Sequence, residues 1–263
     1  MKLMCSFFEF SNYQHFSRPP GYIMCYTVAI NKKKEELEQR FHAAFDEAGY
    51  DPYYAVSGFL HPALPVILSD DIHKIQSLHW GLVPRWVKSR EQASEIGNQT
   101  LNARGETILE KPSFRGAVLN NKCLVLVNGF YEWQKRGKEK QPYYIYMKNH
   151  EPFALGGLWD EWVDTETGEI RKTFSIITTP ANALMSEIHN EKLRMPLIIP
   201  PGEEQRWLET KDAEGTQKWI HPFTENLLDA HPVSRLVNGR HGDPNVPEVQ
   251  LPIEETPAQG SLF

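Results

Sequence analysis

The sequence predicts an α+β fold of one domain, built mostly from antiparallel strands with short helices beside them. Three observations predict it. Short runs rich in β-branched and aromatic residues recur along the chain, separated by turn residues such as Gly137 and Gly168. Only the segment Lys32 to Ala48 holds a helical spacing for long, with Leu37, Phe41 and Phe45 four apart. The 263 residues, 40% of them hydrophobic and without internal repeats, suit one sizeable core.

The elements follow in order. Residues 1–23 are rich in aromatics, Ser and Pro, lack a period and end near the breaker cluster Arg18-Pro19-Pro20-Gly21. Tyr26–Ile30 reads as a strand, and Asn31 suits the cap of the helix that follows. Further strands are expected at Leu64–Leu68, Gln76–Val83, Cys123–Trp133, Tyr143–Met147, Phe153–Trp159 and Thr173–Thr179. Short helices are expected after Asn102, after Pro180 with Thr179 as cap, and over Glu203–Glu209. The chain beyond about residue 242 is Pro-rich and reads as a mobile tail.

Composition narrows the function classes. The formal charge of −6 argues against a duplex-DNA binder that works by bulk electrostatics, though not against a local basic groove. No run of about 18 apolar residues predicts a membrane helix, and the first two dozen residues do not read as a secretory signal. Three cysteines, Cys5, Cys25 and Cys123, point to a reducing cytoplasm without a disulfide framework. No Cys/His spacing fits zinc, so neither metal nor other cofactor is expected.

Five segments carry candidate chemistry: Met24-Cys25-Tyr26, Trp80 to Trp86, Asn102 to Thr107, Gly129-Phe130-Tyr131-Glu132-Trp133, and Ile188-His189-Asn190 with Arg194-Met195-Pro196. Glu132 lies in an apolar run, on one face with Leu126 and Phe130 by alternation. Desolvation there should raise its pKa and suit it to proton transfer near neutrality. The alternative is a structural pair with Arg104. Asn102 and Arg104 point to one side of an extended segment. The Arg suits a phosphate, while Asn102 can instead cap a helix over Ala103–Glu110. Histidine is a residue type able to give or accept a proton near physiological pH, but at a helix end His189 also suits a cap or a surface position. Trp86 can stack on a base if exposed, whereas Trp80 reads as core. Lys135, Arg136, Lys138 and Lys140 read as a solvated hairpin. By itself Cys25 reads as a small buried residue at a strand start.

Taken together and in order, these segments resemble the SOS response-associated peptidase (SRAP) family. Gln141-Pro142-Tyr143-Tyr144, Gly156-Gly157-Leu158-Trp159, Thr178 to Asn182 and His231-Pro232-Val233-Ser234 extend the likeness from about Met24 to about Gly239. The resemblance implies a single SRAP-like domain on a mostly antiparallel, barrel-like sheet, with a groove for single-stranded DNA. It implies covalent capture of abasic sites through an N-terminal cysteine, autoproteolytic exposure of that cysteine, and lyase activity. Carried over position by position, Cys25, Asn102, Glu132 and His189 become catalytic, and Arg104, Asn102 and Trp86 become DNA-binding.

Chemistry explains the cysteine. An N-terminal cysteine is a 1,2-aminothiol, and its α-amine, with a pKa near ~8, is partly neutral at pH 7 and can attack an aldehyde. The thiol then closes a five-membered thiazolidine without a second encounter. An internal cysteine lacks the amine. Here 24 residues precede Cys25, and Tyr26-Thr27 replaces the family's usual Gly-Arg. Residues 1–24 are therefore expected to be a leader, translated from an upstream start or removed, with the domain over 25–240 and a flexible tail over 241–263. The terminal Gln259-Gly260-Ser261-Leu262-Phe263 is similar to the peptides that dock on a replication sliding clamp, with Gln259, Leu262 and Phe263 as contacts. The expected partners are single-stranded DNA containing abasic sites and the clamp, with no membrane, and the protein is expected to be a monomer in the cytoplasm near the nucleoid. Two other readings compete: a thiol peptidase using Cys25, His189 and Glu132, and a non-covalent single-strand-binding module using Arg104 and Trp86.

Overall fold

In chain order the computed structural model contains β1 (Thr27–Ile30), α1 (Lys34–Phe41), β2 (Ala44–Phe45), β3 (Tyr53–Ser57), β4 (Ala63–Leu68), β5 (Asp71–Trp80), α2 (Arg90–Gln99), β6 (Asn102–Arg104), β7 (Lys122–Val127), β8 (Gly129–Arg136), β9 (Glu139–Met147), β10 (Phe153–Val163), β11 (Ile170–Pro180), α3 (Ala183–Ile188), β12 (Arg194–Pro196), β13 (Ile198–Ile199), α4 (Glu204–Glu209), α5 (Ala213–Lys218) and β14 (Leu228–Pro232). It describes residues 26–46, 50–240 and 242–254. Cys5, Cys25, Gln259, Leu262 and Phe263 lie outside them.

Five strands close on one another. β7 pairs antiparallel with β4 and β10, β10 with β11, and β4 with β5, while β11 runs parallel to β5 and completes the ring. Closure leaves these strands no free edge between them. Val66, Ile75, Trp80, Val125, Leu155 and Phe174 belong to the main buried core. Trp80 stacks on Phe174 with ring centroids 6.1 Å apart and donates its indole N–H to the Leu101 carbonyl at 2.7 Å, so it is core as expected. A second sheet, ordered β14-β9-β8-β1-β3, packs beside the ring.

The two sheets join at Asn128-Gly129, which corrects the expectation of one strand over Cys123–Trp133. The Asn128 backbone N–H bonds Ala29, and its side chain accepts from the Asn31 N–H at 2.7 Å and donates to the Tyr144 hydroxyl at 2.9 Å. These bonds turn the chain out of the barrel. Glu132 therefore shares its strand face with Phe130 but not with Leu126, which lies on a different strand. At Gly129 a Cβ would stand 2.3 Å from the Tyr144 ring. We expect Gly129→Ala to displace that ring and cost about 1–3 kcal/mol of overpacking, measured as a lower denaturant midpoint at unchanged m-value.

Other differences have local causes. The first helix ends at His42, whose φ of 52° lies in the left-handed region, and the Glu38 carboxylate takes the Phe45 N–H, so Phe45 sits in a strand. Asn102 does not cap a helix, because residues 102–104 pair parallel with β11. Pro180 ends β11 opposite Arg194, and the next helix is capped by Asn182, not Thr179. The Gln76–Val83 strand stops at Trp80, because Gly81 turns the chain with φ 116°. α2 and β14 have too few apolar residues in phase to stand out, and β3, although its Tyr53, Tyr54 and Val56 suit a strand, is not among the expected ones. The Pro-rich stretch is held as far as Ile253: Val249 is fully buried, Gln250 bonds Asn31, Tyr54 and His231, and Val233 bridges Pro252. No helix among the described residues is long and apolar enough to cross a membrane.

Candidate active site

Glu132 is the most unusual side chain in the core. It is 0% exposed, and neither carboxyl oxygen finds a hydrogen-bond partner among the described residues. Burial raises its pKa to about 8, against smaller opposing pulls from the Trp133 backbone N–H and the Lys140 ammonium. At neutral pH it is therefore mostly the neutral acid, able to donate a proton. No arginine pairs with it among the described residues, so the structural Arg104 pair weighed above is absent.

His189 reaches this acid from the end of α3. Its Nδ1 lies 3.7 Å from Glu132 Oε1 and is also buried. The same nitrogen donates to the Arg194 carbonyl at 2.9 Å. A carbonyl only accepts, so Nδ1 carries hydrogen, and in the neutral imidazole the lone pair sits on Nε2. The turn that carries His189 is fastened to β8: Gln134 donates to the Glu187 carbonyl at 2.9 Å, and Asn190 bonds the Lys135 backbone.

Arg194 connects this pair to the other candidates. Its guanidinium grips both Glu106 oxygens and donates to the Thr178 carbonyl and hydroxyl at 2.7 and 3.0 Å. Burial pushes the Glu106 carboxyl upward, but Arg194, with help from Arg104, holds it below the usual range. Thr178 stands opposite Arg104 in register, and Ile176 opposite Asn102. Asn102 is buried, whereas Arg104 is exposed, and its guanidinium makes no ion pair or hydrogen bond among the described residues. Thus Glu132 and His189 meet directly, while Asn102 and Arg104 join them through β11 and Arg194.

Trp86 stands apart from these contacts. It is 47% exposed on a loop anchored by Arg85 to Asp160 and by the Val83 N–H to Thr173. Thr173 is five residues along β11 from Thr178, about 17 Å at ~3.3 Å per residue. Cys123 is excluded as a nucleophile, because it is fully buried and burial pushes its thiol pKa well above the usual value. No group of three or more His, Cys, Asp or Glu among the described residues is placed to hold a metal.

Some neighbours escaped the sequence reading. Tyr143 stands directly opposite Glu132 across β8 and β9, and its hydroxyl accepts from Arg136 at 2.6 Å. Gln134 and Arg136 follow Glu132 on the same face by alternation, and only that alternation would have flagged them. Thr178 and Glu106 fell inside segments singled out in the sequence, but nothing there marked either one, because both meet Arg194 only through the fold.

A family model described as SOS response associated peptidase matches residues 24–240. The chain belongs to the SRAP family. Among SRAP relatives, the abasic site processing protein YoqW of Bacillus subtilis (strain 168) is 34% identical over 220 residues, covering 82% of this chain and 94% of its own. The abasic site processing protein HMCES of Gallus gallus is 37% identical over 202 residues, 68% of this chain and 58% of its own length. A solved protein from Bacteroides thetaiotaomicron superposes with a TM-score of 0.82 at 36% identity, over 88% of this chain and 100% of that one. The SRAP match spans both the barrel and the second sheet, so the α+β, barrel-like, single-domain expectation stands, with the parallel β5–β11 closure added.

Proposed function

We propose that this chain processes abasic sites by capturing them covalently in single-stranded DNA through Cys25, once that residue is N-terminal. One observation carries the reading: a buried acid with a pKa of about 8 lies 3.7 Å from a buried histidine where β1 enters its sheet. Thr27 stands opposite Tyr131, the residue before Glu132, and Cys25 precedes Thr27 by two positions in the sequence. The family match begins at Met24, which makes Cys25 its second position. The relatives named above as abasic site processing proteins support the same substrate.

The Cys25 α-amine adds to the aldehyde of the ring-opened lesion and forms a carbinolamine. Glu132, as the neutral acid, protonates the leaving hydroxyl, water departs as an iminium forms, and the iminium N–H proton returns to the Glu132 carboxylate to leave the imine. The Cys25 thiol then adds to the imine carbon, its proton passes to the nitrogen, and the thiazolidine closes. His189 exchanges protons at Nε2 during sugar opening and reversal, and Asn102 orients the amine and the sugar. The same amine must first be released, either by cleavage ahead of Cys25 or by translation from Met24 followed by removal of that methionine.

A denaturing gel with an abasic oligonucleotide tests the reading. A stoichiometric adduct supports it, turnover of peptides in trans without an adduct favours the thiol peptidase, and binding that vanishes on denaturation favours the non-covalent module. Arg104 is assigned to a phosphate of the lesion strand. Arg104→Ala is expected to weaken binding of intact single-stranded DNA and to reduce the slope of log affinity against log salt by about 0.7, one released counterion on a single strand. Anisotropy titrations at several salt concentrations measure it, and an unchanged slope removes Arg104 from the backbone contacts.

A further inference from the structure

A side-chain amide ties the turn between α3 and β12 to the backbone of β8. Asn190 closes two hydrogen bonds on a single residue of β8: the Lys135 N–H donates to its Oδ1 at 3.0 Å, and its Nδ2 donates to the Lys135 carbonyl at 3.0 Å. That is the pairing a neighbouring strand would offer. Among the described residues the register of β1 on β8 runs as far as Tyr131, short of Lys135. Two further contacts flank the amide. Gln134 donates to the Glu187 carbonyl, and the Glu191 carboxylate takes the ammonium groups of Lys135 and Lys140.

The turn needs such holding. α3 has six residues, too few to be stable without tertiary contacts. Leu193 sits at φ 53° with its side chain more than half exposed, a strained conformation with little burial to offset it. Its N–H returns to the His189 carbonyl at 2.9 Å, so the loop closes on His189 itself. The imidazole can therefore keep its distance from Glu132 only while the turn stays docked on β8.

We infer that Asn190 is a positioning residue, whose amide docks the His189 turn onto β8 and so fixes the histidine against the Glu132 carboxyl. This rests on the proposed function for its activity readout alone. Asn190 touches neither member of the pair in the contacts described, and its effect passes entirely through His189.

Two measurements test it. In the protein as expressed and processed, Asn190→Ala should slow adduct formation about tenfold or more, the scale expected of a slightly misplaced catalytic group, with unchanged affinity for intact single-stranded DNA. Placed in a His189→Ala background, it should cause no further slowing, because the two changes remove one unit. Independently of DNA, the His189 ring signals in an NMR spectrum of the full chain should shift in Asn190→Ala, while the methyl signals of Val125 and Leu155 stay put. Unmoved His189 signals, or equal slowing in both backgrounds, would overturn the inference. If the ring signals shift but the wild type forms no adduct, the proposed function fails and the positioning role stands.

Discussion

Replacing Cys25 with alanine is expected to abolish every adduct that survives denaturation between this chain and an abasic-site oligonucleotide. An N-terminal alanine keeps the α-amine and can still form an imine, but an imine hydrolyses once the protein unfolds. Only the thiol closes the ring that makes the link durable. Non-covalent affinity for intact single-stranded DNA should not change, since the DNA contacts are assigned to Arg104 and Trp86. A chain that retains residues 1–24 should behave like the alanine variant, because its residue 25 offers an amide nitrogen in place of an amine. Gel analysis paired with intact mass reads all three. A lasting adduct in Cys25→Ala, or from protein whose mass begins at Met1, would sink the mechanism.

The second large effect concerns stability. Glu132→Gln should make the protein more stable and less active. The folded state holds the Glu132 proton to about pH 8, whereas the unfolded chain releases it near the ordinary value of 4.5. Below that lower value the acid is protonated in both states, and its contribution is complete. As pH rises toward 8, the unfolded chain ionises while the folded one does not, and stability falls by about 1.36 kcal/mol per pH unit. A neutral glutamine removes that loss. The variant should gain on the order of 3 kcal/mol near pH 7, which for a chain of this size is roughly 5–10 °C in Tm. The gain should vanish near pH 4.5, and adduct formation should slow. Thermal melts at pH 5 and pH 8 decide it: equal differences at both, or a variant that melts lower at pH 8, would remove the buried acid from the account.

Much of this architecture was legible from residue types. Runs such as Val125 to Val127 and Ile176 to Thr178 could only be strands, and a glutamate between Tyr131 and Trp133 had to be desolvated. The Asn128-Gly129 dipeptide did mark a break in the Cys123–Trp133 run, but nothing in the alternation on either side says that the two halves join different sheets. The parallel closure of β5 on β11 depends on partners almost a hundred positions apart. The docking of His189 was equally hidden, since Asn190 and Glu187 are ordinary polar residues until their contacts with β8 are known. Residue type marked the acid and the histidine, but their meeting depends on backbone bonds that no pattern records.

The stretch from Gly242 to Ile253 is part of the folded body. The family match stops at residue 240, yet Val249 beyond it completes an apolar layer with Ala29, Ala55, Tyr131, Trp133, Tyr144, Val233 and Val237. Several of these belong to the strands that carry Glu132 and lead in from the N-terminus. The folded unit therefore extends past the stretch that the family model matches, and Val249 lines the face of the second sheet that carries Tyr131 and Trp133, opposite by alternation to the face that carries Glu132.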